Sequence, residues 1–251
     1  MTLANSRVVT PKTLARITGS LYLAFIVASV IADALGHIGL GTAQQMADSI
    51  TTAPASFRLG LVFAFFSALL FLLAAWGLYV LLRPVDKDLA LLFLVLNTVG
   101  VAIQCASMLG LVWALVASDP AAGSTALPPV QAQALMQLAL DSYRTGFVTA
   151  QLFFGAWLFP LGYLVIRSRL LPRFLGVLLL LDGVAELVWL LQALLLPAAN
   201  PAIRIPGTVV SFLAEVGLAL WLLILGVKVD QSTADSQPES VTAGSEGGSL
   251  K

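Results

Sequence analysis

The sequence predicts an all-α fold: a polytopic membrane helix bundle with six transmembrane helices and both termini in the cytoplasm. Three observations lead to it. Hydrophobic residues make up 59% of the chain and charged residues only 10%, whereas roughly a quarter of the residues in soluble domains are charged. Several apolar runs are long enough to cross a hydrocarbon core of roughly 30 Å. Lysines and arginines are concentrated in alternate connections between these runs.

Composition divides the chain into three segments. Residues 1–16 form a polar N-terminal segment, residues 17–228 form a six-helix membrane domain, and residues 229–251 form a cytoplasmic tail. The tail is rich in Ser, Gly, Thr and acidic residues, so we expect it to be disordered. The predicted spans cover about residues 17–35, 59–82, 89–117, 147–166, 174–196 and 207–227.

The first span carries small residues at every fourth position, a pattern that lets another helix approach closely. An alternative is a cleaved signal peptide, because Ala32-Asp33-Ala34 resembles a small-x-small cleavage site. The apolar run is longer than a signal-peptide core of roughly 7 to 15 residues, and an acid is a poor cleavage context. We therefore favour a retained helix. Its small residues are Ser20, Ala24, Ala28, Ala32 and Gly36.

The later spans are separated by polar turns. Arg58 introduces the second span, and the turn 83–88 leads into the third. Residues 130–142 have the spacing of a helix lying at the membrane interface, ahead of the fourth span. The basic segment 167–173 precedes the fifth span.

The distribution of basic residues predicts the orientation. If the spans alternate in direction, one side of the membrane holds ten of the thirteen basic residues and the other holds three. Cytoplasmic connections carry an excess of Lys and Arg, which places both termini in the cytoplasm. The ten are Arg7, Lys12, Arg16, Arg83, Lys87, Arg167, Arg169, Arg173, Lys228 and Lys251, and the three are Arg58, Arg144 and Arg204.

Polar side chains inside the spans are the candidate functional residues, because a charge at a helix centre costs about 2.5 to 3.5 kcal/mol on insertion scales. Asp182 and Glu186 lie four residues apart, about 40° apart on one helical face. Glu215 reaches a depth similar to that of Glu186 in the sixth span. We hypothesise that at least one of the two glutamates is protonated at neutral pH. Asn97 and Gln104 share a face of the third span.

Gln151 enters the fourth span at a depth like that of Gln104, so the amides and the acids together predict one polar interior. Two roles remain open for it: a proton-coupled or cation-binding site, or hydrogen-bonding glue between helices. Asp33 lies near the outer end of the first span, within reach of Arg58 or Arg144. That position predicts an ion pair at the outer interface, with a structural role.

The order of several short motifs resembles a bacterial family of six-helix membrane proteins known as domain of unknown function four-three-eight-six. The resemblance implies the fold and a place in the bacterial cytoplasmic (inner) membrane, and it brings no activity with it. Tyr143 stands where members often have a histidine. The matching motifs are Arg16-Ile17-Thr18-Gly19-Ser20-Leu21-Tyr22, Phe57-Arg58-Leu59-Gly60, Leu82-Arg83-Pro84-Val85, Leu171-Pro172-Arg173-Phe174-Leu175-Gly176, and Glu215 with Leu218-Ala219-Leu220-Trp221.

Sequence alone does not establish an activity. A structural or partner-regulating membrane protein is favoured, with a small proton-coupled transporter or an ion-binding or small-molecule-binding protein using Glu186 and Glu215 as the alternative. An intramembrane enzyme is the least favoured class, because aspartyl-type hydrolysis usually uses paired aspartates. Cys105 is the only cysteine and His37 the only histidine, so we expect no metal, no cofactor and no intramolecular disulfide. The expected partner is the lipid bilayer and not nucleic acid. Association as a homo-oligomer or with another membrane protein stays open, and the ligand is unknown.

Overall fold

The computed structural model describes residues 10–118, 128–196 and 204–227. These residues form seven α-helices, and no β-strand occurs among them. Residues 1–9 of the predicted N-terminal segment and the predicted tail 229–251 lie outside the described residues. The helices are α1 (Pro11–Gly36), α2 (Ala43–Thr52), α3 (Pro54–Leu82), α4 (Lys87–Ser118), α5 (Pro129–Ser168), α6 (Arg173–Leu195) and α7 (Arg204–Leu220), which continues into a π-helical turn at Trp221–Leu225.

Six of these helices, all except α2, are long and apolar enough to cross a membrane. Large apolar side chains remain exposed on their outer surfaces, such as Val30 at 61%, Trp113 at 64% and Ile224 at 64%. Soluble proteins rarely leave such extensive apolar surface in contact with water, whereas a bilayer is the natural solvent for it. The predicted all-α, multi-pass membrane bundle is confirmed.

The helix ends follow local sequence signals. Thr10 caps α1 by accepting a hydrogen bond from the Thr13 backbone N–H at 3.3 Å. Thr42 and Gln45 form a reciprocal capping box on α2, which satisfies two backbone donors at that terminus. Asp86 accepts from the backbone N–H groups of Asp88 and Leu89 at the start of α4. These caps explain why the helices begin where they do.

The segment before the fourth span differs from expectation. Residues 130–142 predict a separate interfacial helix, whereas the structure has one continuous helix, α5, of 40 residues. The chain between Ser142 and Phe147 contains no proline to interrupt the backbone hydrogen bonds, and Gly146 packs against the side chain of Ser107 on α4. Continuity therefore costs no hydrogen bond, and the N-terminal part of α5 packs in an apolar cluster with α2, α3 and α4.

The helices that could span a membrane form a closed ring. Going round it, α3 packs on α1, α1 on α7 and the π turn, α7 on α6, α6 on α5, α5 on α4, and α4 back on α3. The short helix α2 packs across one end of the ring, where Met46 and Ile50 are fully buried in a cluster with residues of α3, α4 and α5. The first and last spans are thus neighbours, and the ring surrounds an interior space.

Three of the five small residues predicted to allow close packing of α1 are buried against other parts of this chain. Ala28, Ala32 and Gly36 are buried, whereas Ser20 and Ala24 are exposed. A Cβ atom added at Gly60 of α3 would lie 3.2 Å from the backbone oxygen of Ala32. The backbones of α3 and the C-terminal half of α1 therefore approach each other closely.

Candidate functional site

The ring encloses a cavity of about 440 Å³, and this cavity gathers most of the predicted polar residues. Side chains from α1, α3, α4, α5, α6 and α7 line it. Four carboxylates lie on its wall, Asp33 near one end and Asp182, Glu186 and Glu215 together, and no lysine or arginine does so among the described residues. The remaining wall is largely apolar and aromatic. Its aromatic residues are Phe25, Phe71, Tyr143, Phe147, Phe154 and Trp157.

Asp182 and Glu186 of α6 both contact α7 through one serine, Ser211. The Ser211 hydroxyl of α7 donates to Asp182 Oδ1, and it lies 3.3 Å from Glu186 Oε1. Asp182 is only 1% exposed. A serine hydroxyl has one proton, so it can give a full hydrogen bond to only one of the two carboxylates, while its lone pairs can accept only from a protonated carboxyl. If either carboxyl carries a proton, that carboxyl can donate a hydrogen bond to the Ser211 oxygen while Ser211 donates to the other.

Glu215 is held by the first span. The Tyr22 hydroxyl of α1 donates to Glu215 Oε1 at 3.3 Å, and Tyr22 itself is fully buried. The Tyr22 ring packs edge-on against Phe25 and Phe71, with ring centroids 5.8 Å apart in each pair. Aromatic packing thus fixes the direction of the hydroxyl toward the carboxylate.

The structure separates the three predicted amides. Gln104 and Gln151 line the cavity, and the Gln151 side-chain nitrogen makes only a long contact of 3.5 Å to the Phe147 carbonyl. Asn97 does not line it. It lies two helical turns from Gln104, about 10 Å along the axis of α4, so sharing a face does not bring it to the same depth. Its buried amide atoms have no hydrogen-bond partner in the described part of the chain.

The end of the cavity next to the loop between α1 and α2 contains Asp33, one of the residues predicted to form an interfacial ion pair. Asp33 Oδ1 accepts a hydrogen bond from the Leu40 backbone N–H at 3.2 Å, which fastens the loop between α1 and α2. Arg58 and Arg144 are exposed side chains. Their pairing with Asp33 stays a prediction.

Tyr143 lies on the wall of the same cavity and is 2% exposed. Its hydroxyl has no hydrogen bond of normal geometry within the described residues, although the Gly39 backbone lies near it. A buried hydroxyl with only a weak contact costs free energy, so a polar group of a bound molecule could improve its hydrogen bonding.

Sequence reasoning missed Tyr22, Tyr143 and the aromatic wall as parts of the site. Tyr22 lies in an apolar run that shows no polar periodicity, so its contact with Glu215 becomes visible only when α1 and α7 are known to be neighbours. For Tyr143, its position at the entrance to the fourth span was the one available signal.

Among the described residues, no group of three or more His, Cys, Asp or Glu side chains could hold a metal ion. The carboxyl groups of the site can exchange protons, and its amides and hydroxyls can donate and accept hydrogen bonds. Aromatic faces attract organic cations.

Fold and site together define a multi-pass helical membrane protein with a carboxylate-lined interior cavity. The chain belongs to the family described as "Domain of unknown function (DUF4386)", which matches residues 17–226. A relative in Archaeoglobus fulgidus, described as an uncharacterized protein, is 28% identical over 162 residues, covering 62% of this chain and 77% of that protein. No solved structure matches the chain significantly. The predicted family is confirmed, and it brings no activity.

Proposed function

We propose that this protein binds small organic cations in its interior cavity and exchanges them against protons, as a small proton-coupled transporter does. One observation carries the proposal: a cavity of about 440 Å³ has Asp182, Glu186 and Glu215 on its wall and no cationic side chain among its described lining residues. The structural or partner-regulating role that the sequence favours stays open as the second candidate.

The charges of the cavity require a counter-charge. A charged carboxylate within a membrane span is costly, and neighbouring carboxylates in one cavity repel each other in addition. Two hydroxyl groups, those of Ser211 and Tyr22, donate to these acids, but a hydroxyl carries no charge. Protons or a bound cation would neutralise the site. Because both would occupy the same oxygens, binding of one displaces the other.

The size and the walls of the cavity favour an organic cation. Ligand pockets for small molecules commonly measure roughly 300 to 1,000 Å³, and this cavity falls in that range. Phe25 stacks on Phe71 with ring centroids 4.4 Å apart, and Trp157 meets Phe71 edge-on at 5.3 Å. Aromatic faces of this kind recognise quaternary ammonium groups by cation–π attraction.

The test is equilibrium binding of radiolabelled tetramethylammonium to the purified protein in lipid nanodiscs. We expect saturable binding by the wild type, and loss of binding in Glu215→Gln. Asp141→Asn, which neutralises an exposed acid outside the cavity, serves as the control and should bind like the wild type. Absence of saturable binding, or equal binding by Glu215→Gln, would refute the proposal.

The pH dependence supplies a second readout. The titratable groups around the cavity are Asp33, Tyr143, Asp182, Glu186, Glu215 and, through Glu215, Tyr22. Protonation of a carboxylate removes the charge that attracts the cation, so affinity should fall as the pH falls. Displacement of one proton predicts a change of up to about tenfold in the dissociation constant per pH unit. A dissociation constant that is constant from pH 5 to 8 would contradict proton exchange.

A structural role is the second candidate, and the hydrogen bonds from Ser211 to Asp182 and from Tyr22 to Glu215 favour it. Each joins two spans, as polar contacts between membrane helices commonly do. A purely structural site predicts that Glu215→Gln changes stability while no cation changes the unfolding temperature of either protein.

We also propose that the protein lies in a bacterial cytoplasmic membrane with both termini in the cytoplasm. The excess of basic residues on one side supports this orientation. The contact between Asp86 and Arg167, at 4.0 Å, joins two of the basic connections at the same end of the ring. In a Cys105→Ala background, Gln44→Cys should react with a membrane-impermeant maleimide in intact cells. Asp88→Cys should react only after permeabilisation, and the reverse pattern would overturn the orientation.

A further inference from the structure

A second cavity, of about 570 Å³, lies between α5, α6 and α7 and adjoins the first. Gln151, Glu186 and Glu215 line both cavities, so the two cavities are adjacent and these acids lie at their common boundary. The second cavity is hereafter called the side groove. Its wall between α6 and α7 is largely apolar and includes Leu181, Val184, Val188 and Phe212.

The side groove opens toward the bilayer. Val184 is 49% exposed, Val188 is 52% exposed and Phe212 is 60% exposed, which places these lining residues on the outer surface of the ring. Helix surfaces of this composition contact lipid chains. A hydrocarbon chain could therefore pass from the lipid into the groove without crossing a polar barrier.

The boundary between the side groove and the first cavity suits a positively charged head group. Glu186 and Glu215 line both cavities, Asp182 and Tyr143 line the first, and the described lining of both cavities contains no lysine or arginine. A hydrophilic cation would occupy only this boundary. An amphiphile with a cationic head and a hydrocarbon tail would occupy the boundary and the side groove.

Resting on the proposed function, we infer that the ligands are amphiphilic amines, with the head at Glu186 and Glu215 and the tail in the side groove, and that they enter sideways from the bilayer between α6 and α7. Amphiphiles of this kind concentrate in the bilayer because their chains partition into it. The juxtaposition of a half-exposed apolar groove with buried carboxylates is what assigns this ligand class.

The experiment compares two probes, tetramethylammonium and octyltrimethylammonium, in the purified full-length protein in nanodiscs. Binding to protein-free nanodiscs is subtracted. Val184→Trp narrows the groove, and Val188→Trp is a second variant in case the first does not fold. Val95→Trp is the matched control, because Val95 is also 49% exposed but lies on α4 outside both cavities. Each variant is checked for a monodisperse peak in size-exclusion chromatography.

We expect the groove variants to raise the dissociation constant of octyltrimethylammonium by about tenfold or more, the scale of losing one apolar pocket contact. The dissociation constant of tetramethylammonium should stay within about twofold, since its site lies beyond the groove. Val95→Trp should change neither. If groove variants affect both probes equally, or neither, the inference falls while the proposed function stands. If the wild type binds neither probe, both fall.

Discussion

The hydroxyl of Tyr22 donates to Glu215 Oε1 across 193 residues of sequence, at 3.3 Å. The contact joins the first span to the last and closes the ring beside the cavity. Tyr22 is fully buried, whereas Glu215 is partly buried and faces the cavity. The hydrogen bond therefore connects the carboxylate of the proposed site directly to the packing of α1.

Replacing Tyr22 by Phe removes the hydroxyl and keeps the ring. We expect a loss of about 0.6 to 1.7 kcal/mol in the free energy of unfolding, the range found for hydrogen bonds between membrane helices. Reversible unfolding by SDS in mixed micelles would measure it. Tyr163→Phe is the control, because Tyr163 is 48% exposed and its hydroxyl makes only a long contact to Arg167 at 3.4 Å.

A double-mutant cycle separates the hydrogen bond from loss of packing. Tyr22→Phe combined with Glu215→Leu should cost less than the sum of the two single changes, because the second change removes the group left without its donor. Strict additivity would show that the contact contributes nothing measurable.

Replacing Ser211 by Ala removes the hydroxyl between Asp182 and Glu186. Asp182 is almost fully buried, so we expect a loss of about 1 to 3 kcal/mol in the free energy of unfolding, the cost of leaving a buried polar group unsatisfied. Ser67→Ala is the matched control. Its hydroxyl donates to the Ala64 backbone carbonyl within its own helix, so its loss should cost less. Equal losses in the two variants would mean that Ser211 does not hold the acids.

Replacing Gly19 by Ala should force α1 away from the end of α7. A Cβ atom there would lie 2.5 Å from the Leu223 backbone nitrogen and 2.8 Å from the Ala219 backbone oxygen, and backbone atoms cannot move aside cheaply. We expect destabilisation of about 1 to 3 kcal/mol, measured by the same SDS titration.

The matched control for Gly19 is Gly217→Ala on α7. Its added Cβ would meet only Leu175 Cδ2, at an ordinary 3.4 Å. Alanine favours the helix over glycine by up to about 1 kcal/mol, so this variant should be neutral or more stable. A Gly19→Ala protein as stable as Gly217→Ala would disprove the close approach.

Replacing Asn97 by Leu should stabilise the protein by about 1 to 3 kcal/mol, because it removes a buried amide that has no partner among the described residues. Thermal unfolding in nanodiscs shows whether the variant is more or less stable, and the SDS titration gives the size of the change in the free energy of unfolding. Asn97→Ala is the control, since it also removes the amide but leaves a void, and it should be less stable than Asn97→Leu. Destabilisation by Leu would mean that the amide is satisfied by a group such as buried water.

Much of the fold follows from the sequence because each span is a local property. An apolar run of sufficient length has to be helical in a bilayer, where every backbone polar group must be satisfied internally. The joining of residues 130–142 to the fourth span was not predictable from periodicity, because an amphipathic and an apolar segment can share one helix axis when no residue breaks it.

The site was predictable only in part, for a geometric reason. Helical spacing places Asp182 with Glu186, and Ser211 with Glu215, since both pairs are four residues apart. Helical spacing does not reveal which helices are neighbours, so it cannot predict the contact between Tyr22 and Glu215. Spacing shows which residues share a helix face but not how deep each one lies in the membrane, so the sequence groups Asn97 with Gln104. Asp33 was assigned to an ion pair at the membrane surface, and the structure also places it on the cavity wall.

Because the first and last spans are neighbours, the helix bundle can be completed only at the end of synthesis and membrane insertion. When the ribosome has released α1 into the bilayer, the helix against which Gly19 and Tyr22 will pack has not yet been translated. The interior space can close only after α7 has been inserted. Until then α1 can pack only against α2 and α3, and Glu215 enters the bilayer last, on the helix that completes the cavity wall.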